Sequence, residues 1–192
     1  MSAVTPSLVV PRRFTPLQRV LHWSMAVCIL AMLFIGVGMV STISQRYLTL
    51  VRIHKPLGLL ILVLVLVRIA VRLRFGAPKL PPDMPEPMKL AAHLSHYAFY
   101  ALMLAMPLLG WGMLSAAAFP VQVLGITLPP IVPQSETLHS LLWNLHRTLA
   151  FAFFALILLH LSAALFHALI RRDGVFETMA PVPDQVVARP AE

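Results

Sequence analysis

Cysteine occurs once in the 192 residues, at Cys28 inside an apolar run, so neither an internal disulfide nor a cysteine-based metal site can form. Its ordinary role is that of a small buried hydrophobe. Charge is scarce as well: 11% of the residues are charged and 59% hydrophobic, too apolar a composition for a soluble domain of this length. Acids are scarcest. The seven are Asp83, Glu86, Glu136, Asp173, Glu177, Asp184 and Glu192, and none falls inside an apolar run, which argues against a carboxylate-based proton pump or an ion-coupled transporter. The chain also lacks an internal repeat and any low-complexity tract. A formal charge of +8 would suit a nucleic-acid partner if the basic residues formed a solvated stripe. They sit instead at the ends of long apolar runs, so the expected partner is a lipid bilayer and not nucleic acid.

What is present is length of apolar sequence. A helix needs about 20 apolar residues to cross the hydrocarbon core. Four segments qualify, roughly 17–40, 53–73, 91–115 and 143–169. This predicts an all-α, integral membrane four-helix bundle. Arg12, Arg13 and Arg19 ahead of the first run resemble the start of a signal peptide, but the run is too long and no small-residue cleavage site follows it. Segment 75–89 holds five of the seventeen prolines and reads as a loop; segment 116–135, broken by Pro120, Pro129, Pro130 and Pro133, reads as an interfacial loop. The domain organisation expected is an N-terminal extension over 1–13, a transmembrane domain over 14–180 and a disordered tail over 181–192. Ten basic residues flank one side of the spans (Arg12, Arg13, Arg19, Arg68, Arg72, Arg74, Lys79, Lys89, Arg171, Arg172) and four flank the other (Arg46, Arg52, Lys55, Arg147). The excess of positive charge predicts cytoplasmic termini and, in a bacterial inner membrane, periplasmic 41–52 and 116–142 connections.

Eight histidines are many for such a chain, and ionisable side chains in spans are functional candidates by default. His146 and His160 lie on the fourth span 14 residues apart, about 1400° of helix rotation and so about 40° short of four turns. They face the same way, separated along the axis by roughly 21 Å. A six-coordinate haem iron needs two axial ligands at one depth on facing helices. His22, at the cytoplasmic start of the first span, can meet His160; His54, at the periplasmic start of the second, can meet His146. Two b-type haems then stack across the membrane. Gly36, Gly38, Gly58, Gly110, Gly112, Ala163 and Ala164 can give a flat macrocycle room, or can equally be ordinary small-residue helix contacts. Any one histidine is more commonly a hydrogen-bonded neutral ring than a ligand, but four at paired depths reverse that expectation. Zinc needs a tight cluster, which a 21 Å axial separation, roughly, cannot supply. The tryptophans and tyrosines mostly fall near span ends, as an aromatic belt does.

Four stretches, RVLHWSMA, RIHKPLGLLILVLVLVRIAVRL, AAHLSHYAFYALMLAMPLLGW and NLHRTLAFAFFALILLHLSAALFH, resemble in order and spacing the bacterial cytochrome b561 family, over about residues 14–180. The resemblance implies a four-helix bundle with two haems b whose ligands map onto His22, His54, His146 and His160, the same four that the depth argument selects. Members include a superoxide oxidase that takes electrons from superoxide at the periplasmic face and delivers them to ubiquinone. For this chain that implies an oxidoreductase with superoxide as donor and a membrane quinone as acceptor. The basic residues Arg46, Arg52, Lys55 and Arg147 can then steer a small anion toward the periplasmic haem, or neutralise its propionates. His93, His96 and His167 are candidates to line the quinone pocket, with His167 and His96 as candidate proton donors, since quinone reduction takes two protons along with two electrons. His139 is expected to be structural. The competing function is a membrane-anchor cytochrome b subunit passing electrons between a periplasmic dehydrogenase or hydrogenase, as the redox protein partner, and the quinone pool; a non-redox haem carrier or sensor is a third.

Overall fold

The structure, a computed structural model, describes residues 13–123 and 125–181. Four long helices, α1 (Pro16–Val40), α2 (Arg46–Phe75), α3 (Glu86–Ala116) and α4 (Glu136–Leu165), account for most of it, and a π-helical turn over Phe166–Arg171 continues α4. Each is long and apolar enough to cross a membrane. Helices are the economical choice for such sequences, because a helix satisfies its backbone hydrogen bonds internally where no water can.

The helix starts are written locally. Thr15 and Gln18 form a capping box at α1, with Pro16 at the first helical position, where its missing N–H costs nothing. Ser135 caps α4 by accepting from the Leu138 N–H at 3.2 Å, and Glu136 places negative charge in the first turn. Gly76, at φ +70°, ends α2 in a conformation that other residues adopt only with strain. Helices α2 and α4 each begin about seven residues before the apolar windows read from the sequence, and α3 begins within the proline-rich stretch expected to be loop. An apolar window measures hydrocarbon thickness, and a helix can run on into the polar interface.

Successive helices are antiparallel. Helix α1 packs along α2, α3 along α4, and α2 along α3, while α4 makes no more than a glancing approach to α1 or α2 among the described residues. One buried side chain from each helix, Met25, Val65, Met103 and Phe153, meets at the waist of the bundle. Phe153 stands seven residues from both His146 and His160, so this apolar waist lies midway between the two histidine levels. Close helix contact uses small residues: Gly112 admits Leu142, Gly38 admits Leu50 and Gly58 admits Met32.

The two ends differ. At one, the α3–α4 connection carries a hairpin, β1 (Val121–Val123) antiparallel to β2 (Ile126–Leu128), where the sequence suggested only an interfacial loop. Strand β1 packs on α2 and α3, Trp111 Nε1 donates to the Pro129 carbonyl at 3.1 Å, and the Ile131 N–H donates to Ser115 Oγ at 3.2 Å. At the other end the chain after α4 folds back over the start of α1: the Phe14 N–H donates to the Thr178 carbonyl, Arg13 donates to the Glu177 and Ala180 carbonyls, and Trp23 Nε1 donates to Met179 at 2.9 Å. Residues 175–180 thus belong to the folded domain. The extension expected over 1–13 and the tail expected over 181–192 lie, apart from Arg13 and Pro181, outside the described residues.

Candidate haem-binding site

The histidines meet at two levels. Toward the hairpin end, His54 of α2 and His146 of α4 have ring centroids 6.2 Å apart with planes inclined by 59°. Toward the opposite end, His22 of α1 and His160 of α4 stand 6.3 Å apart, inclined by 67°. Two imidazoles on opposite faces of one metal, with metal–nitrogen bonds of about 2 Å and about 1.1 Å from each nitrogen to its ring centre, have centroids roughly 6 to 6.5 Å apart. Both pairs match that separation. Each joins α4 to a helix against which it does not pack closely, and that is where a flat macrocycle needs room.

The chemistry of the donor set agrees. Nδ1 of His54 and of His146 are buried without a hydrogen-bond partner, although the Met106 carbonyl lies toward the His146 ring. A ring so sealed on its Nδ1 side has Nε2 as its available ligating atom, facing the gap. A Cβ at Gly110 would stand 3.5 Å from His146 Cε1, so the glycine lets α3 pass beside that ring. Of the small residues singled out from sequence, Gly110 therefore borders a histidine pair, whereas Gly38, Gly58 and Gly112 make helix contacts. A hollow of about 370 Å³ below the hairpin, lined by Trp111, Ser115, Val121 and neighbouring prolines, touches none of the paired histidines.

His160 has a second neighbour, His96 of α3, at a centroid distance of 6.2 Å. His96, a quinone-pocket candidate from the sequence, is exposed and borders this histidine level from α3. Distance alone does not rank it below His22. Helix packing does: α3 lies along α4, and no flat group can enter between two helices in close contact. Phe99, at 5.1 Å from the His160 ring, fills the same side.

The chain from residue 13 to 181 matches the family model described as prokaryotic cytochrome b561. The protein belongs to the prokaryotic cytochrome b561 family. It is 30% identical over 177 residues to cytochrome b561 homolog 1 of Escherichia coli strain K12, covering 88% of this chain and 97% of that one. It is 32% identical over 130 residues to the probable superoxide oxidase CybB of Yersinia pestis, covering 67% and 73%. Cytochrome b561 homolog 2 of E. coli K12 is 26% identical over 172 residues, 88% and 92% of the two chains. Membership makes this a multi-pass membrane protein of electron transfer, and a b-type haem is the cofactor that the family implies. The ring separations, the sealed Nδ1 atoms and the spacing of α4 from α1 and α2 fit such a group.

Other residues of this b561 chain are distributed as follows. His139 lies in the first turn of α4 and ties it to α3 through a 2.8 Å contact of Nδ1 with the Met113 carbonyl, the structural role expected. His93 is exposed, its Nδ1 at 2.8 Å from the carbonyl of Lys89 on the same helix. His167 is buried in the π-helical turn, with Nδ1 2.7 Å from Asp173 Oδ2. The same oxygen accepts from Arg171 Nε at 2.9 Å, and Arg171 reaches across to Asp83 at 3.2 Å. Burial works to raise the Asp173 pKa, but hydrogen bonds from His167, the Val175 N–H and Arg171 outweigh it and hold the carboxyl below its ordinary value. Arg46, Arg52 and Arg147 are exposed and Lys55 half-buried at the hairpin end, none with a carboxylate partner among the described residues. Two residues escaped the sequence reading. Asp173 was seen only as an acid outside the spans. Arg68 was counted as a flanking charge, yet it lies within α2 with Nη2 3.3 Å from His22 Nδ1.

Proposed function

We propose that this cytochrome b561 carries electrons across the bacterial inner membrane through two b-type haems, held by His54 with His146 and by His22 with His160, taking them from superoxide at the periplasmic face and delivering them to ubiquinone. The observation that carries the reading is the pair of matched ring separations, 6.2 and 6.3 Å, on helices that leave space between them. Haem supplies reversible one-electron chemistry, which suits a one-electron donor and, in two steps, a two-electron acceptor. His54 with His146 and His22 with His160 would hold a haem from both faces, so the group would supply outer-sphere electron exchange with a small donor and would need no open coordination site.

The protein's part is to orient and steer. Arg46, Arg52, Lys55 and Arg147 surround the hairpin end with only Glu136 opposing them nearby, a field that draws in a small anion. The excess of basic residues at the other end favours cytoplasmic termini. Two superoxide anions give up two electrons and leave as dioxygen; one quinone takes both with two protons. His167 is the candidate to pass those protons, with His96 and His93 on the neighbouring α3. The superoxide assignment draws on the name of the Yersinia relative and on the unpaired cations.

The test supplies chemically generated superoxide to purified protein with excess ubiquinone analogue, following haem reduction and quinol formation. Expected are two low-spin haems per chain, rapid haem reduction and one quinol per two superoxide consumed. Haems that stay oxidised with superoxide yet accept electrons from an artificial donor would move the protein to the anchor-subunit role. Fewer than two haems per chain would remove the basis of the proposal.

A further inference from the structure

Among the described residues, Arg68 is the charged side chain set in contact with a paired histidine. It is half-buried on α2, its Nη2 lies 3.3 Å from His22 Nδ1, and its Nη1 is buried with no partner at all. It has no carboxylate partner among the described residues, where Asp83 serves Arg171, Glu86 serves Lys89 and Asp173 serves His167 and Arg171. Its position on α2 repeats a pattern: Arg68 follows His54 by 14 residues, as His160 follows His146 on α4. Helix geometry therefore turns both to nearly the same face, so α2 offers a histidine at one level and an arginine at the other.

Once His22 ligates a metal through Nε2, its Nδ1 carries the hydrogen and is itself a donor, so it can no longer accept from Arg68. Both ends of a half-buried guanidinium then lack an acceptor, which is costly at the buried Nη1 unless an anionic oxygen arrives with the ligand. A b-type haem brings carboxylates, and a planar fork of N–H donors matches a carboxylate in two bonds.

We propose that Arg68 is the counter-ion for a carboxylate of the haem held by His22 and His160, and that its charge makes this haem the more oxidising of the two. A nearby cation disfavours ferric haem, whose net charge is one unit higher, and so raises the potential. The more oxidising haem then lies on the far side from the His54–His146 pair, and electrons entering at the hairpin end run downhill. The proposal rests on the two-haem reading above, and the experiment separates the two failures.

The test is a potentiometric titration of the purified holoprotein, followed by haem absorbance, for wild type, Arg68→Gln and Arg68→Lys. Each is run in quinone-depleted detergent and again with a ubiquinone analogue, and each is repeated in a His146→Ala background to mark the wave belonging to His22 and His160. Two waves are expected in wild type. Arg68→Gln should lower the reduction equilibrium of the higher wave tenfold or more, a drop of at least 59 mV for one electron, whether or not quinone is present. Arg68→Lys should change it less than threefold. If Arg68→Gln loses that haem altogether, retention of it by Arg68→Lys supports the proposal and loss in both overturns it. Unmoved waves, equal movement of both waves, equal effects of Lys and Gln, or a shift seen only with the quinone analogue would each overturn it. A single wave from wild type holding two haems per chain would overturn it as well, whereas fewer than two haems per chain would instead defeat the two-haem reading.

Discussion

At the hairpin end, His54 and His146 face each other with both Nδ1 atoms sealed and unpartnered, and the nearby cations point outward. At the other end, His22 and His160 face each other at nearly the same separation beside a buried arginine and a third histidine, under a folded-back C-terminal segment. The ring geometry is thus common to both levels, while the surroundings are not. The existence of two levels on one face follows from the 14-residue spacing of His146 and His160 along α4 and is indifferent to charge. Charge, polar partners and cover are added separately at each level, and they decide where electrons rest and where protons can follow them.

The sharpest way to break the comparison is to remove one ligand from each level. His146→Ala or His54→Ala should take the protein from two haems per chain to one, with the survivor still low-spin and bound to His22 and His160. Haem content and the reduced-minus-oxidised spectrum of the folded bundle read this directly. Loss of both haems from a folded protein would count against the pairing. At the other level the structure sets a choice: His22→Ala should abolish one haem and His96→Ala should leave both low-spin. The reverse pattern would make α3 the ligand-bearing helix and would contradict the argument from helix packing.

A smaller effect probes room beside the hairpin-end pair. A Cβ at Gly110 meets His146 Cε1 at 3.5 Å, an ordinary contact, so Gly110→Ala should keep near-complete haem occupancy. Gly110→Leu drives a branched side chain into the ring and should reduce occupancy at His54–His146 alone, read as loss of one spectral component with the other intact. Equal occupancy in both variants would show that the glycine has no bearing on the site.

These positions also show what sequence could and could not carry. The four spans were legible because hydrophobic length is a local property, and the histidine levels were legible because a 14-residue repeat on a helix has only one geometric meaning. The hairpin was not, since VQV and ITL are short and lie among prolines that read as loop. His96 read only as a quinone-pocket candidate at the start of the third span, because its approach to His160 depends on how tightly α3 lies against α4, which no single helix encodes. Arg68 looked like a flanking charge for the opposite reason: its 14-residue relation to His54 was available, but a cation near a span end is usually a topology signal, and only its contact with His22 makes it more.

The smallest predicted effect concerns the cover at the terminal end. Asp173, with its side chain only 7% exposed, accepts from His167, Arg171 and the Val175 N–H and so pins the chain where it leaves the membrane and folds over α1. Its pKa is depressed in the folded protein, so the carboxylate contributes fully above its unfolded value and the contribution is lost as pH falls through the lower, folded one. Hydrogen exchange over residues 173–180, corrected for intrinsic rates, should therefore stay protected from neutral pH down into the ordinary carboxylate range and loosen only below it. At neutral pH Asp173→Asn should remove one charged acceptor and lower local protection by about 1.5 to 3 kcal/mol, the difference closing once the wild-type carboxyl protonates, with haem content unchanged because no ligand is touched. Protection in Asp173→Asn equal to wild type at neutral pH would show that the fold-over is held without Asp173 by the bonds that Phe14, Arg13, Arg19 and Trp23 donate to the carbonyls of residues 177–180, and the two ends of the bundle would then differ less in their electrostatics than in their covering chain.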